Sequence, residues 1–286
     1  MMQHYSDKGD KDKVSAYKIE MLKYAGIRIG TYKFGLDNRK FSVDKEAGCI
    51  NPSLSSIKNF SMTIANTLYE LGQKKFEDFG SLLVALREKG IAESRIKDLI
   101  GIEYFSDFGD IKYLLNYLHI FLQLYKNKKF LSQLKKDKAF KLEIDFDVVR
   151  KHCVSETVQT FMKIDAKAII SEVTKNFNKK ITFKERLLAR YSVLGYMDII
   201  DKKYAGYCFV EDINVDYSPR LKLYALANGN TIPVKISKKI FKQNPIRRGD
   251  IVKVTNQYKK PKMKKIDGEW RETNEQEWWI SEYKIC

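Results

Sequence analysis

The residues best suited to chemistry are cations and aromatic rings near the C-terminal end of the sequence. Between Lys235 and Lys265 there are twelve Lys or Arg residues and one acid, Asp250. All three tryptophans of the chain lie close by, at positions 270, 278 and 279. Cations neutralise phosphates and rings stack on bases, so this combination is typical of a nucleic-acid-binding surface. Lysines also protect sheet edges from aggregation, but twelve cations against one acid exceed that need.

Rings and charges would have different roles in binding a nucleic acid. Tyr258 and Trp270 are the ring candidates for stacking on bases. Trp278 and Trp279 are consecutive, and consecutive residues of a strand point to opposite faces, so one of them is expected in the core. The candidate phosphate contacts in this region are Arg247, Arg248, Lys253, Lys259, Lys260, Lys262, Lys264 and Lys265.

These side chains fall on a predicted run of strands. After residue 196 the apolar period changes from 3.6 to 2, which favours strands, and a short helix is predicted at 237–243. About five strands with one small helix between the third and the fourth predict a small closed barrel of the OB type. The predicted strands include residues 204–215, 220–227, 231–236 and 250–258.

Most of the sequence before the barrel has helical periodicity interrupted by glycines. A helical module followed by an all-β barrel gives an expected α+β multidomain fold. We expect a first segment at 1–50, the helical module at 51–125, a basic linker with connecting helices at 126–200, and the barrel at 201–286. Helices are predicted at residues 14–24, 55–58, 61–72, 76–89, 93–100 and 110–125, and helical periodicity returns at 155–196.

Composition limits the class of protein. A formal net charge of +17 favours a polyanionic partner. The four cysteines lack paired metal-binding spacing and there are three histidines, so we expect reduced thiols and no zinc site. No apolar leader opens the sequence, and the longest apolar run, 113–125, is too short to span a bilayer. We therefore expect a cytoplasmic protein with no membrane partner and no cofactor.

Catalytic groupings find little support in the sequence. Asp145 and Asp147 form a D-x-D pair like that of a two-metal site, but no Gly-rich phosphate loop accompanies them. A solvated strand or turn is the preferred interpretation of that pair. His119 lies on an apolar predicted helix and is expected in the core. We predict no catalytic residues and no metal ligands.

Several motifs in a fixed order resemble one protein family. They are DKDKVSAYKIEMLKYAGIRI, DNRKFSV, INPSLSSIKNF, GQKKFEDFGSLLVAL and IAESRIKDLIGIEYFSDFG, with EWWISEYKI at the end. In this order they resemble the C-terminal region of the bacterial polymerase III α subunit, a family C DNA polymerase, and some look closest to phage-like members. The resemblance implies the end of the fingers at 1–50, a tandem helix-hairpin-helix module, a connecting helix at 182–195 and an OB domain at 204–285.

The resemblance also implies a function and partners. The catalytic palm of the family, with its metal-binding aspartates, would lie upstream of all these motifs. The chain is therefore expected to be a non-catalytic, DNA-binding segment of a DNA polymerase used in DNA replication. Its implied partners are single-stranded template, primer–template duplex and a palm-containing subunit in trans, docked through residues 1–50. A sliding clamp is a further open alternative.

Two features depart from the family pattern. Family members carry a glycine-containing hairpin whose amides approach a DNA phosphate. Lys58 and Asn59 occupy it here, and Ser61 suits a left-handed backbone poorly, so duplex binding and a packing scaffold both stay open. A second hairpin near Gly109 presents acids. The nearest match to a clamp peptide is 159–162, for which a core-facing helix is the preferred interpretation.

Two other functions stay open. The barrel could be an adaptor that docks a replisome protein, with lysines that only keep it soluble, or an OB protein that binds RNA. The salt dependence of nucleic-acid affinity distinguishes the adaptor. Competition between RNA and DNA distinguishes the RNA-binding protein.

Overall fold

The computed structural model describes residues 4–5, 8, 13, 16–17, 20–21, 27–175, 177, 180–266 and 268–286. The helix predicted at 14–24 lies largely outside them, as does the first half of the 1–50 segment. The chain forms two compact units, whose main parts are 27–182 and 183–286. The division falls at 182 and not near 200, because the helix that starts at Phe183 packs against the strands that follow it.

The first unit is built on helices whose starts are set by capping side chains. The hydroxyl of Ser61 accepts a hydrogen bond from the N–H of Ile64. Asp78 and Ser81 form a reciprocal capping box, and the Asp110 carboxylate caps the fourth helix. The described helices of this unit are α1 (Met62–Gly72), α2 (Phe79–Glu88), α3 (Glu93–Gly101), α4 (Ile111–Leu124), α5 (Lys136–Lys141), α6 (Phe146–Lys151) and α7 (Ala166–Lys175).

Aromatic residues dominate the core of this unit. The Phe79 ring centroid lies 5.7 Å from that of Phe105 and 5.6 Å from that of Tyr117. A Cβ added at Gly80 would lie 2.4 Å from the hydroxyl oxygen of Tyr117, so this close approach requires glycine. Since large aromatic side chains bury the most surface, they contribute most to holding α2 and α4 together.

The described residues from 126 to 175 fold into the first unit and do not form the linker predicted at 126–200. Leu134, Phe161 and Ile169 are at most 1 % exposed. The strands here have two or three residues each, too short to show a period of two, and part of 155–196 was therefore wrongly predicted as helix. The strands of this unit are β1 (Arg28–Ile29), β2 (Ser42–Asp44), β3 (Cys49–Asn51), β4 (Tyr125–Lys126), β5 (Lys129–Phe130), β6 (Gln133–Lys135), β7 (Ser155–Glu156) and β8 (Thr160–Met162).

The second unit contains five strands that close on themselves by hydrogen bonds. In spatial order, β9 pairs with β10, β10 with β11, β11 with β13, β13 with β12, and β12 again with β9. The β11–β13 pair is parallel and the other pairs are antiparallel. The strands are β9 (Tyr207–Asn214), β10 (Arg220–Ala225), β11 (Thr231–Ile236), β12 (Ile251–Ile266) and β13 (Glu269–Ile285).

Alternating apolar residues of these strands fill the interior, and two helices pack on it. Helix α8 (Phe183–Leu194) contributes Leu187, which lies in one cluster with Phe209 and Ile251. Helix α9 (Lys238–Gln243) connects β11 to β12 and places Ile240 and Phe241 on the main cluster. That cluster contains the buried side chains Val210, Leu221, Leu223, Val234, Ile236, Ile246, Val252 and Ile280.

Among the described residues, no helix has the length and apolar character needed to cross a membrane. The apolar run at 113–125 forms most of α4, which has 14 residues. His119 of this helix is exposed, so the prediction that it belongs to the core is wrong.

Candidate nucleic-acid interface

Most of the predicted rings and lysines lie on β12 and β13, which continue past the other strands. β12 pairs with β9 only at residues 251–253, and β13 pairs with β11 only at 278–280. Farther out the two strands pair with each other alone. We refer to residues 259–277 as the ribbon. At about 3.4 Å per residue, the sixteen residues of β12 span about 50 Å.

Glu275 lies between two of the predicted phosphate contacts. Its carboxylate oxygens are 2.6 Å from Nζ of Lys264 and 2.9 Å from Nζ of Lys262. Hydrogen bonds from Lys264 and Lys262 lower the pKa of Glu275 to about 2. Both lysines therefore have an ionised partner at neutral pH, and a phosphate would have to compete with it.

Glu275 is one of four glutamates in the part of β13 that belongs to the ribbon. In the register of the two strands, Lys260 is opposite Glu277 and Met263 is opposite Glu272. The ribbon as a whole holds six Lys or Arg residues and five acids. The window that ends at Lys265 excludes all five of these acids. A hairpin turn near 267 is the sequence signal for these acids, because an antiparallel hairpin places the residues after the turn opposite the lysines before it.

At the base of the ribbon, two rings and two lysines share the outer face. Tyr258 is opposite Trp279, and Nζ of Lys260 lies 5.3 Å and 4.9 Å from the two ring centroids. Lys235 reaches the same indole at 5.7 Å. Glu277 accepts a hydrogen bond from the indole Nε1 at 2.9 Å and pairs with Lys235 at 2.6 Å. Trp279 and Lys235 were not among the candidates, because only the parallel β11–β13 pairing places them together.

The other two tryptophans differ in exposure. Trp278 packs against the barrel core, as strand alternation predicts for one of the adjacent pair, and Nζ of Lys259 lies 4.8 Å from its ring centroid. Trp270 is 67 % exposed and stands opposite Lys265 near the tip of the ribbon. Of the two predicted stacking rings, Trp270 is more accessible than Tyr258, which is 39 % exposed.

Arg247, Arg248 and Lys253 lie toward the other end of β12. The guanidinium of Arg248 donates to the hydroxyl of Tyr191 at 3.2 Å. Lys253 lies with its Nζ 5.3 Å from the ring centroid of Tyr207. Strand geometry places Lys253 about 30 Å from the middle of the ribbon. The structure therefore does not bring these three cations together with the ribbon lysines.

In the first unit, Lys58 and Asn59 form the turn in front of α1. Both are exposed, and Asn59 has a φ of 68°, a left-handed conformation that asparagine tolerates. Ser61 has a φ of −81° and caps the helix, so the strain expected at this serine is not present. In the second hairpin, Asp107 pairs with Lys33 at 2.9 Å.

The remaining candidate motifs have structural roles. The Asp145 carboxylate accepts a hydrogen bond from the N–H of Asp147 and caps α6, and Asp147 pairs with Arg150 at 2.8 Å. The D-x-D pair thus starts a helix and is not the strand or turn expected. Within the described part of the chain, no three His, Cys, Asp or Glu side chains are grouped to hold a metal ion. The clamp-like peptide 159–162 is mostly strand β8, not a helix, and its Phe161 is fully buried.

Comparisons with models of known protein families and with curated proteins find no match for this chain. Two structural features remain as candidates for contact with a nucleic acid. They are the charges and rings of the ribbon, and the exposed turn at Lys58 and Asn59.

Proposed function

We propose that this chain is a non-catalytic, DNA-binding segment of a family C replicative polymerase. In this proposal the barrel and its ribbon contact single-stranded template, and the helical unit contacts the primer–template duplex. A palm-containing subunit in trans supplies the catalytic carboxylates.

The observation that carries the proposal is the strand order of the second unit. Numbered one to five along the chain, its strands pair in the order 1-2-3-5-4-1, with α9 between the third and the fourth. We assign this arrangement to the OB type, a small Greek-key barrel used widely to bind oligonucleotides. The exposed ring of Trp270 and the Tyr258–Lys260–Trp279 cluster supply the aromatic and cationic groups that such binding uses.

The helical unit supports the duplex part of the proposal through its first turn. The left-handed Asn59 and the exposed Lys58 immediately precede the capped start of α1. Backbone amides at a helix start attract anions. We therefore assign the α1 turn to a hairpin of the helix-hairpin-helix type.

A second function, docking of a replisome protein, is favoured by one specific observation. The glutamates of β13 neutralise much of the ribbon charge, and Glu275 alone holds two of its lysines. A ribbon of mixed charge with an exposed Trp270 would suit a protein surface as well as a nucleic acid.

Single-stranded DNA should bind the full-length chain with an affinity that falls linearly on a log–log plot as salt rises, at about −0.7 per contacted phosphate. Fluorescence anisotropy with a labelled oligonucleotide measures this slope. The chain alone should incorporate no nucleotide on a primed template with Mg²⁺, because the proposal places catalysis on another subunit. Salt-independent binding would favour the protein adaptor. Stronger competition by RNA than by DNA would favour the RNA-binding alternative.

The Trp270→Ala variant should weaken this binding by about 1–3 kcal/mol with little change in the salt slope, because stacking involves no counterion release. Trp270 is largely exposed, so the change should leave the fold intact. Trp270→Phe keeps a ring and should retain most of the affinity. An affinity equal to that of the wild type in Trp270→Ala would assign stacking to other rings.

A further inference from the structure

Helix α9 presents a row of lysines to solvent. Ile240 and Phe241 pack against the barrel core, which fixes the rotation of the helix. At 100° per residue, Lys238, Lys239 and Lys242 then lie on the opposite side. All three are exposed. The core contacts of α9 thus place its three lysines on the solvent side.

These cations differ from Lys262, Lys264 and Arg271 of the ribbon in having no carboxylate partner within the described part of the chain. No ion pair or side-chain hydrogen bond there involves the ammonium groups of Lys238, Lys239 or Lys242, or the guanidinium of Arg247. The acid nearest in sequence, Asp250, binds Nζ of Lys184 at 2.8 Å and the backbone N–H of Arg247 at 2.7 Å. The charges of α9 are therefore available to an external anion.

Helix α9 lies at the end of the barrel away from the ribbon tip. It ends just before β12 begins, and the hydroxyl of Tyr283, near the end of β13, donates to the carbonyl of Asn244. The ribbon tip lies at the other end of β12, tens of ångströms away by strand geometry. A bound strand would have to span this distance to contact both places.

We propose that α9 and the loop after it form a second phosphate-binding surface, made of Lys238, Lys239, Lys242 and Arg247, for the sugar-phosphate backbone of a single nucleic-acid strand that also contacts the ribbon. The proposal rests on the proposed function. The ribbon contributes rings and partly neutralised lysines, and α9 contributes unpaired charge. This surface offers cations for phosphate contacts and no ring for stacking on bases.

The test compares two triple variants of the full-length chain with equal charge change. In one, Lys238, Lys239 and Lys242 become glutamine; in the other, the exposed lysines Lys126, Lys128 and Lys129 do. Anisotropy with labelled single strands of about 8 and about 24 nucleotides is measured across salt. The α9 variant should show a slope shallower by about two units on the longer strand. It should also lose most of the wild-type preference for that strand, while the control keeps both properties.

Each of the other outcomes contradicts a specific proposal. If the α9 variant binds with the wild-type slope, or if both variants change equally, the patch acts only as solvated or net charge and the inference fails, while the proposed function stands. If the wild type itself shows no salt-dependent DNA binding, both fail. If polyglutamate displaces DNA from the wild type as effectively as unlabelled DNA at equal charge, the surface binds an acidic protein instead.

Discussion

Replacing Arg190 with leucine should lower the free energy of unfolding of the second unit by about 3 kcal/mol, because it leaves a largely buried carboxylate, that of Asp198, without its cation. Arg190 is 8 % exposed, and its guanidinium holds both carboxylate oxygens of Asp198, with Nε 2.9 Å from Oδ1. Arg190 lies on α8 and Asp198 follows it, so the pair fixes the chain where it enters the barrel. This is the largest stability effect we expect from a single substitution outside the apolar core.

The measurement can isolate the second unit. All three tryptophans lie at positions 270 to 279, so tryptophan fluorescence during urea unfolding reports on that unit alone. Ser192→Ala, an exposed change on the same helix, should stay within about 0.5 kcal/mol of the wild type. Changing both Arg190 and Asp198 to leucine should recover much of the loss, because no unpaired charge remains. An unchanged midpoint in Arg190→Leu would mean that the Arg190–Asp198 pair does not stabilise the second unit.

The helical part of the fold was predictable from local chemistry. Ser61, Asp78 and Asp110 cap the helices close to where the sequence placed their starts, since capping depends on residues within one turn. The strand at Thr231–Ile236 was also predicted with its observed bounds. Short strands such as Thr160–Met162 were missed, because three residues contain too little alternation to identify a strand.

The candidate site was less predictable, because its charges are balanced by long-range pairing. Lys262 and Lys264 meet Glu275 across the hairpin, at separations of eleven or more residues. Lys235 meets Trp279 only through a parallel strand pair. A residue count along the sequence records how many cations exist, but register decides which of them keep a free charge.

Changing Lys259, Lys260, Lys262, Lys264 and Lys265 to alanine should make the salt slope for single-stranded DNA shallower by about two units, and not by the three to four that five independent phosphate contacts would give. Two of these lysines already share Glu275, so they release fewer counterions when DNA binds. Removing only Lys259, Lys260 and Lys265 should therefore produce most of the same change. If the five-lysine variant binds as tightly as the wild type at every salt concentration, the ribbon is a solvated edge and the adaptor function replaces DNA binding.

The converse change, Glu275→Gln, should free two ammonium groups without adding a lysine. We expect tighter binding at low salt and a slope steeper by up to about 1.4 units, at about 0.7 per newly contacted phosphate. Glu282→Gln is the matched control: it removes one negative charge from an exposed site on the same strand, opposite Asn256 and not opposite a lysine. Its slope should stay near that of the wild type. Equal effects of the two substitutions would mean that DNA responds to net charge alone, and that the Lys262–Glu275–Lys264 contacts do not limit the charge available to phosphate.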